Sequence, residues 1–173
     1  MIVGVIADTH GLLRPEAVRA LEGCSRIIHA GDVGPKMILE DLARIAPVTA
    51  VRGNVDREPW ALRELPEEAR LTVEGANVYV LHDRNALAFD PAAAGAGVVV
   101  TGHSHKPLIE RVNGVLYVNP GSAGKRRFSL PITLAKLEFS PAGVEARLIG
   151  LLTAKPFHGK TKIACERSSQ ASV

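Results

Sequence analysis

The 173-residue chain reads as an α/β protein in which a partly parallel sheet comes first and antiparallel strands then complete or cover it. Three observations predict this. Short β-rich runs alternate with helical signals through the first half of the chain. The first three runs are separated by amphipathic stretches of the kind that connect parallel strands. From about Val112 onward the helical signals vanish and the strands follow one another as hairpins.

The expected strands are Ile2–Ala7, Arg26–His29, Val48–Arg52, Val78–Leu81, Val98–Thr101 and Leu116–Val118, then Thr133–Phe139 and Val144–Leu151. A first helix starts at Pro15, a residue preorganised for the first helical turn, with Ala17, Val18 and Leu21 on one face and Gly23 as its stop. A second starts at Pro35 and places Ile38, Leu39, Leu42 and Ile45 at spacings of three and four. Asp90-Pro91 followed by three alanines predicts a short third helix capped by the aspartate. No internal repeat is present. Periodicity stops after Leu152, so the expected organisation is one domain over 1–151 and a polar, basic, disordered tail over 152–173.

Composition narrows the function classes. Hydrophobic residues are 46% and charged residues 23%, a globular balance. No apolar run reaches the roughly 20 residues of a spanning helix, and the start of the chain lacks the features of a signal peptide, so the expectation is a cytoplasmic protein with no membrane partner. Cys24 and Cys165 do not make a disulfide framework, and neither has the surroundings of a nucleophile. The formal charge of +3 belongs to the tail, where Lys155, Lys160, Lys162 and Arg167 face only Glu166; the rest carries 17 basic and 17 acidic residues. A basic stripe for nucleic acid is therefore not indicated.

The chemistry lies at strand ends. The first strand runs into Asp8-Thr9-His10, the second into His29-Ala30-Gly31-Asp32 and the third into Arg52-Gly53-Asn54; the fourth ends at His82 and the fifth at Gly102-His103-Ser104-His105. Carboxyl ends of parallel strands lie together and form ligand crevices, so Asp8, His10, Asp32, Asn54, His82, His103 and His105 are expected to converge. Gly31, Gly53 and Gly102 let the backbone turn sharply and approach a ligand closely. Mixed carboxylate and imidazole donors suit Mn, Fe, Zn or Ni more than Ca or Mg alone. Each element has a bland reading as well: a lone Asp-x-His is more often a turn or a cap, and Gly-Asp or Gly-Asn is common in turns. Gly-His-Ser-His is more specific, because two histidines flanking one residue at a strand end rarely serve packing.

In this order the residues resemble the calcineurin-like metallophosphoesterases, whose signature is Asp-x-His, Gly-Asp, Gly-Asn, His and Gly-His-x-His. The chain is similar to the small bacterial and archaeal phosphodiesterase group through Ala30-Gly31-Asp32, Arg52-Gly53-Asn54-Val55-Asp56, Gly102-His103-Ser104-His105-Lys106-Pro107 and Asn119-Pro120-Gly121-Ser122. The resemblance implies two packed mixed β-sheets flanked by helices, a four-layer sandwich. It implies two divalent ions, Mn2+ first, with Ni, Fe, Zn or Mg as alternatives. Asp8, His10 and His105 would hold one ion and Asn54, His82 and His103 the other, with Asp32 bridging; Asn54 would also meet the substrate. A hydroxide between the ions would attack phosphorus in line. The implied partner is a small phosphodiester substrate, and a homodimer is compatible with the group.

Three departures stand out. Val55 occupies the place where many family members carry the histidine thought to protonate the leaving group, which favours substrates with good leaving groups. Asp83 follows His82 where relatives carry glycine. The segment after Ser122 reads Ala-Gly-Lys-Arg-Arg rather than a simple Pro-Arg pair, so Arg126 and Arg127 are candidates for substrate phosphate or for a solvated loop. His29 reads as a core histidine or one behind the ligands, Trp60 as a stacking residue or an apolar cover, and His158 as inert. The functions in competition are a metal-dependent phosphodiesterase, a non-catalytic interaction module on the same fold, and a nuclease, which the neutral core disfavours.

Overall fold

The computed structural model describes residues 1–152 and the backbone of Thr161–Ile163. Eleven strands, three α-helices and a 3-10 turn are present among the described residues. They run β1 (Ile2–Ile6), α1 (Pro15–Leu21), β2 (Arg26–His29), α2 (Met37–Ala43), β3 (Val48–Ala50), α3 (Pro59–Glu64), β4 (Glu68–Val73), β5 (Ala76–Leu81), the 3-10 turn Arg84–Ala86, β6 (Val98–Val100), β7 (Leu108–Val112), β8 (Val115–Asn119), β9 (Thr133–Ser140), β10 (Gly143–Gly150) and β11 (Thr161–Ile163).

The strands form two mixed sheets, one of order β10-β9-β1-β2-β3 and one of order β11-β7-β8-β6-β5-β4. In the first sheet β1, β2 and β3 are parallel, and β9 lies antiparallel to β1. In the second, β5, β6 and β8 are parallel, and the hairpin partners β4 and β7 run antiparallel to them. Parallel strands from both sheets therefore deliver their carboxyl ends to one rim of the molecule. The alternation of β1 explains the layering. Val3, Val5 and Ala7 join Ile28, Val80, Val100 and Val118 in the core between the sheets, while Ile6 joins Leu21, Ile27 and Leu42 under the helices.

The expected sandwich is present with one difference. Among the described residues helices cover only the first sheet; the outer face of the second, carrying Tyr79, Val99 and Tyr117, packs against Leu87, Phe89 and Ala92 of a loop. The helix expected after Asp90 is a single turn: the Asp90 carboxylate accepts from Ala92 N at 2.9 Å, but Ala93, Ala94 and Gly95 are exposed and offer no apolar face to bury. α3, β4 and β7 were absent from the expected elements. So was β11, which pairs in parallel with β7 inside the stretch read as tail; the remaining tail, with His158 and Cys165, lies outside the described residues. No helix among the described residues is long and apolar enough to cross a membrane.

Candidate metal centre

The strand ends turn back over the rim through unusual backbone geometry. Asp8, His10, Asp32, His103 and His105 all adopt left-handed φ, at 54°, 45°, 55°, 64° and 56°. Each such residue other than glycine costs about 1–3 kcal/mol, and clusters of this strain mark functional sites. The conformations persist because the neighbouring loops are tied together. Asp8 N donates to Gly31 O at 3.0 Å and His10 N to Asp32 O at 2.9 Å, which carries the β1–β2 pairing past the end of the ladder. Gly53 is required at its position, because a Cβ there would collide with the backbone nitrogen and Oδ1 of Asp32; at Gly31 (φ 88°) a Cβ would lie 2.5 Å from His82 Nδ1.

Asp8, His10 and His105 bring one donor atom each within 4.8 Å of one another, and Asp8, Asp32 and His82 form a second such set. His105 Nε2 stands 3.2 Å from Asp8 Oδ1, and His10 Nε2 is 3.3 Å from His105 Nε2. Asp32 lies between the sets, its Oδ2 at 3.7 Å from His10 Nε2 and 3.4 Å from His82 Nε2. His103 meets His82 edge to face at 5.2 Å. Asn54 and His103 are exposed, whereas Asp8, Asp32, His82 and His105 are buried. Of the seven residues singled out in the sequence, five make up the two converged sets. His103 borders the second set, and Asn54 flanks the loop that holds Asp32.

The polar bookkeeping calls for cations. Both Asp8 oxygens and His82 Nε2 are buried without an aligned hydrogen-bond partner. An unpartnered buried polar atom costs about 1–3 kcal/mol, and more when it is charged, so a cation is the natural occupant. The His82 tautomer supports this: Nδ1 lies 2.7 Å from Ala30 O, so the N–H is committed there and Nε2 presents its lone pair to the site. His10 sits below its ordinary pKa because burial disfavours the charged ring, against the pull of Asp32 and Asp8. Burial also disfavours a charged His82, but Asp32 and the Ala30 carbonyl overcome this and shift it upward. Asp32 would be raised by burial, yet the His82 contact and the Val55 N–H hold it at about 2. The residues present fit a site for divalent cations.

Sequence reasoning gave no role to several residues that hold this geometry. The buried Asp56 carboxylate accepts from Val33 N (2.9 Å), Gly34 N (3.0 Å) and Gly53 N (2.8 Å), pinning the loop after Asp32 to the loop that carries Asn54. Asn119 Nδ2 donates to Gly102 O at 2.6 Å and to Ser104 Oγ at 3.1 Å, which braces the His103–His105 segment. Ser122 Oγ donates to Asp8 O at 2.9 Å. The Asp56 and Asn119-Pro-Gly-Ser motifs were visible; their partners were not, because most of them are backbone atoms distant in sequence. His29, fully buried, bonds Thr9 Oγ1 at 3.0 Å; since that hydroxyl donates to Val33 O, the ring N–H is the donor. Burial pushes the His29 pKa down to about 4.

A profile of the calcineurin-like phosphoesterase superfamily domain matches residues 1–141. The chain belongs to that superfamily. It is 36% identical over 157 residues to a curated "Probable metallophosphoesterase" of Methanocaldococcus jannaschii, covering 86% of this chain and 81% of that one. It is 25% identical over 139 residues to a phosphodiesterase of the same organism, covering 70% and 83%. Among solved structures, zinc-bound Vps29 of Entamoeba histolytica superposes with a TM-score of 0.73 at 23% identity, covering 90% and 95% of the two chains. That likeness shows the shared fold.

The departures from the superfamily pattern have local explanations. Asp83 is in extended conformation (φ −102°, ψ 117°), a backbone that does not require glycine, and it caps the 3-10 turn. His82 beside it keeps Nδ1 at 2.7 Å from Ala30 O. Val55 points outward and is exposed, while its N–H donates to Asp32 Oδ1 at 3.0 Å. Trp60 packs against the core under the helices, with Nε1 donating to Glu58. Arg126 and Arg127 lie on an exposed loop, and the Arg127 charge acts on His10.

Proposed function

We propose that the protein is a dinuclear metal-dependent phosphodiesterase. The observation that carries this is the buried, unpartnered Asp8 carboxylate, flanked by His10 and His105 on one side and by Asp32 and His82 on the other. In this reading Asp8, His10 and His105 would hold one ion, Asn54, His82 and His103 would hold a second, and Asp32 would serve both. When bound, the ions supply Lewis acidity and a nucleophilic water and offset charge developing on the phosphate oxygens. The chain's own residues do the rest. Asp56 and Asn119 hold the ligand-bearing loops still, and the exposed Asn54 amide receives a phosphate oxygen at the mouth. The Arg127 charge lies near enough to His10 to favour an anionic substrate. Because Val55 has no proton to give, the leaving group departs unassisted by position 55, which favours esters of acidic alcohols and phenols over alkyl esters. The similarity to an archaeal phosphodiesterase supports diesters over monoesters. Mn2+ is the first ion to test.

Protein loaded with Mn2+ should hydrolyse bis-p-nitrophenyl phosphate faster than p-nitrophenyl phosphate, and Asp32→Asn should abolish both activities. A loaded wild type inert toward every aryl diester would sink the proposal. The missing acid at position 55 also keeps a non-catalytic interaction module in view. Such a module would remain inert even with both ions bound, so metal content and turnover measured on one preparation separate the two readings.

A further inference from the structure

We propose that Asp83 is a positioning residue that fixes the tautomer and orientation of the His103 ring, leaving Nδ1 as the nitrogen offered to the second ion. The inference rests on the two-ion reading above and concerns a residue that belongs to none of the ligand motifs.

The histidines of the site differ in how they are held. His82 is buried and its Nδ1 is committed to Ala30 O at 2.7 Å. His105 is buried beside Asp8, and His10 stacks on it at 5.2 Å. The His103 side chain is 41% exposed and forms no hydrogen bond among the described residues. Its backbone is placed by the left-handed turn and by Asn119, but neither constrains rotation of the ring.

Asp83 is placed to supply that constraint. Its Oδ2 stands 3.8 Å from His103 Nε2, within ion-pair reach though longer than a hydrogen bond. The carboxylate is itself held, because Oδ1 accepts from Asn85 N at 3.0 Å and from Asn85 Nδ2 at 3.1 Å. One oxygen therefore anchors the side chain to the 3-10 turn while the other faces the imidazole. A histidine that donates one ring N–H to a carboxylate presents the other nitrogen as a more basic and better oriented ligand, and losing such a partner typically weakens metal affinity by about 10–100-fold.

Titration of the full chain with Zn2+ measures both binding steps, and NMR of the zinc-loaded protein with 15N-labelled histidine reads the His103 tautomer. In the wild type two ions bind and His103 carries its proton on Nε2. In Asp83→Gly the first ion binds as before, while the second weakens by about 10–100-fold; Asp83→Glu restores most of that loss. Asp83→Asn, which keeps an acceptor for the turn, repeats the test should the glycine variant fail to fold. A wild-type His103 protonated on Nδ1, or a second ion unaffected in both the glycine and asparagine variants, overturns the assignment while leaving the two-ion reading in place. A wild type that takes up fewer than two ions overturns both.

Discussion

The two halves of the metal centre are built differently. Around Asp8, His10 and His105 the donor atoms have already converged, and the Asp8 carboxylate is sealed from water. Around Asn54 and His103 the side chains are exposed, and the second donor set consists of His82 and Asp32 with Asp8, which it shares with the first. An enclosed half stores free energy in unpartnered groups that only a cation relieves. An open half leaves room for substrate, and its ligands need support from outside, as argued for Asp83. The difference teaches that the centre is preorganised from one side.

Substitution should expose the asymmetry most strongly in turnover. Asp32→Asn, which touches both halves, should lower kcat/KM on bis-p-nitrophenyl phosphate by about a thousandfold or more, the scale of losing a central electrostatic group. His103→Ala should cost less, and added Mn2+ should recover part of the loss, because only the open half is affected. Equal losses that metal does not rescue in either variant would erase the distinction.

Asp56→Ala tests the bracing behind both halves. Val33, Gly34 and Gly53 would lose a buried charged acceptor, and the apo protein should lose about 3 kcal/mol in urea unfolding. A loss under 1 kcal/mol would mean that the loops are held by other contacts.

Much of the site was legible because ligand-type residues stand directly after β-rich runs, and parallel topology converts that order into proximity. What escaped did so for physical reasons. Glu68–Val73 is an edge strand whose Glu68, Arg70 and Thr72 alternate toward solvent or the sheet margin, so it resembles a charged loop. Leu108–Val112 is paired on both sides, but the Glu110-Arg111 pair breaks its apolar pattern. The alanines after Asp90 have good helix propensity but nothing to bury. Asp56 was visible only as part of the Arg52–Asp56 motif, because its partners are backbone N–H groups, two of them more than twenty residues away.

Acid should destabilise the apo protein through His29, which lies behind the enclosed half. The unfolded chain takes up a proton on this residue near pH 6.5, whereas the folded chain does so only near pH 4. Between those values the unfolded state binds more protons, so stability is highest above pH 6.5 and falls as the pH drops toward 4, by on the order of 3 kcal/mol. Chelator-treated wild type and His29→Gln, unfolded in urea across this range, should diverge in slope; parallel curves would remove His29 from the account.

Each ion bound contributes a little less. Mn2+ at a hundred times its Kd should add about 2.7 kcal/mol per ion bound only to the native state. The same addition should stabilise Asp8→Asn less, by the share of one ion, while that variant without metal should be more stable than apo wild type, because its buried carboxylate is gone. A thermal scan with and without Mn2+ checks both statements.

The most direct test is anomalous diffraction from crystals grown with Mn2+. The account predicts two peaks per chain, one among Asp8, His10 and His105 and one among Asn54, His82 and His103, with the Asp32 carboxylate between them. A single peak, or none at these residues, would contradict it.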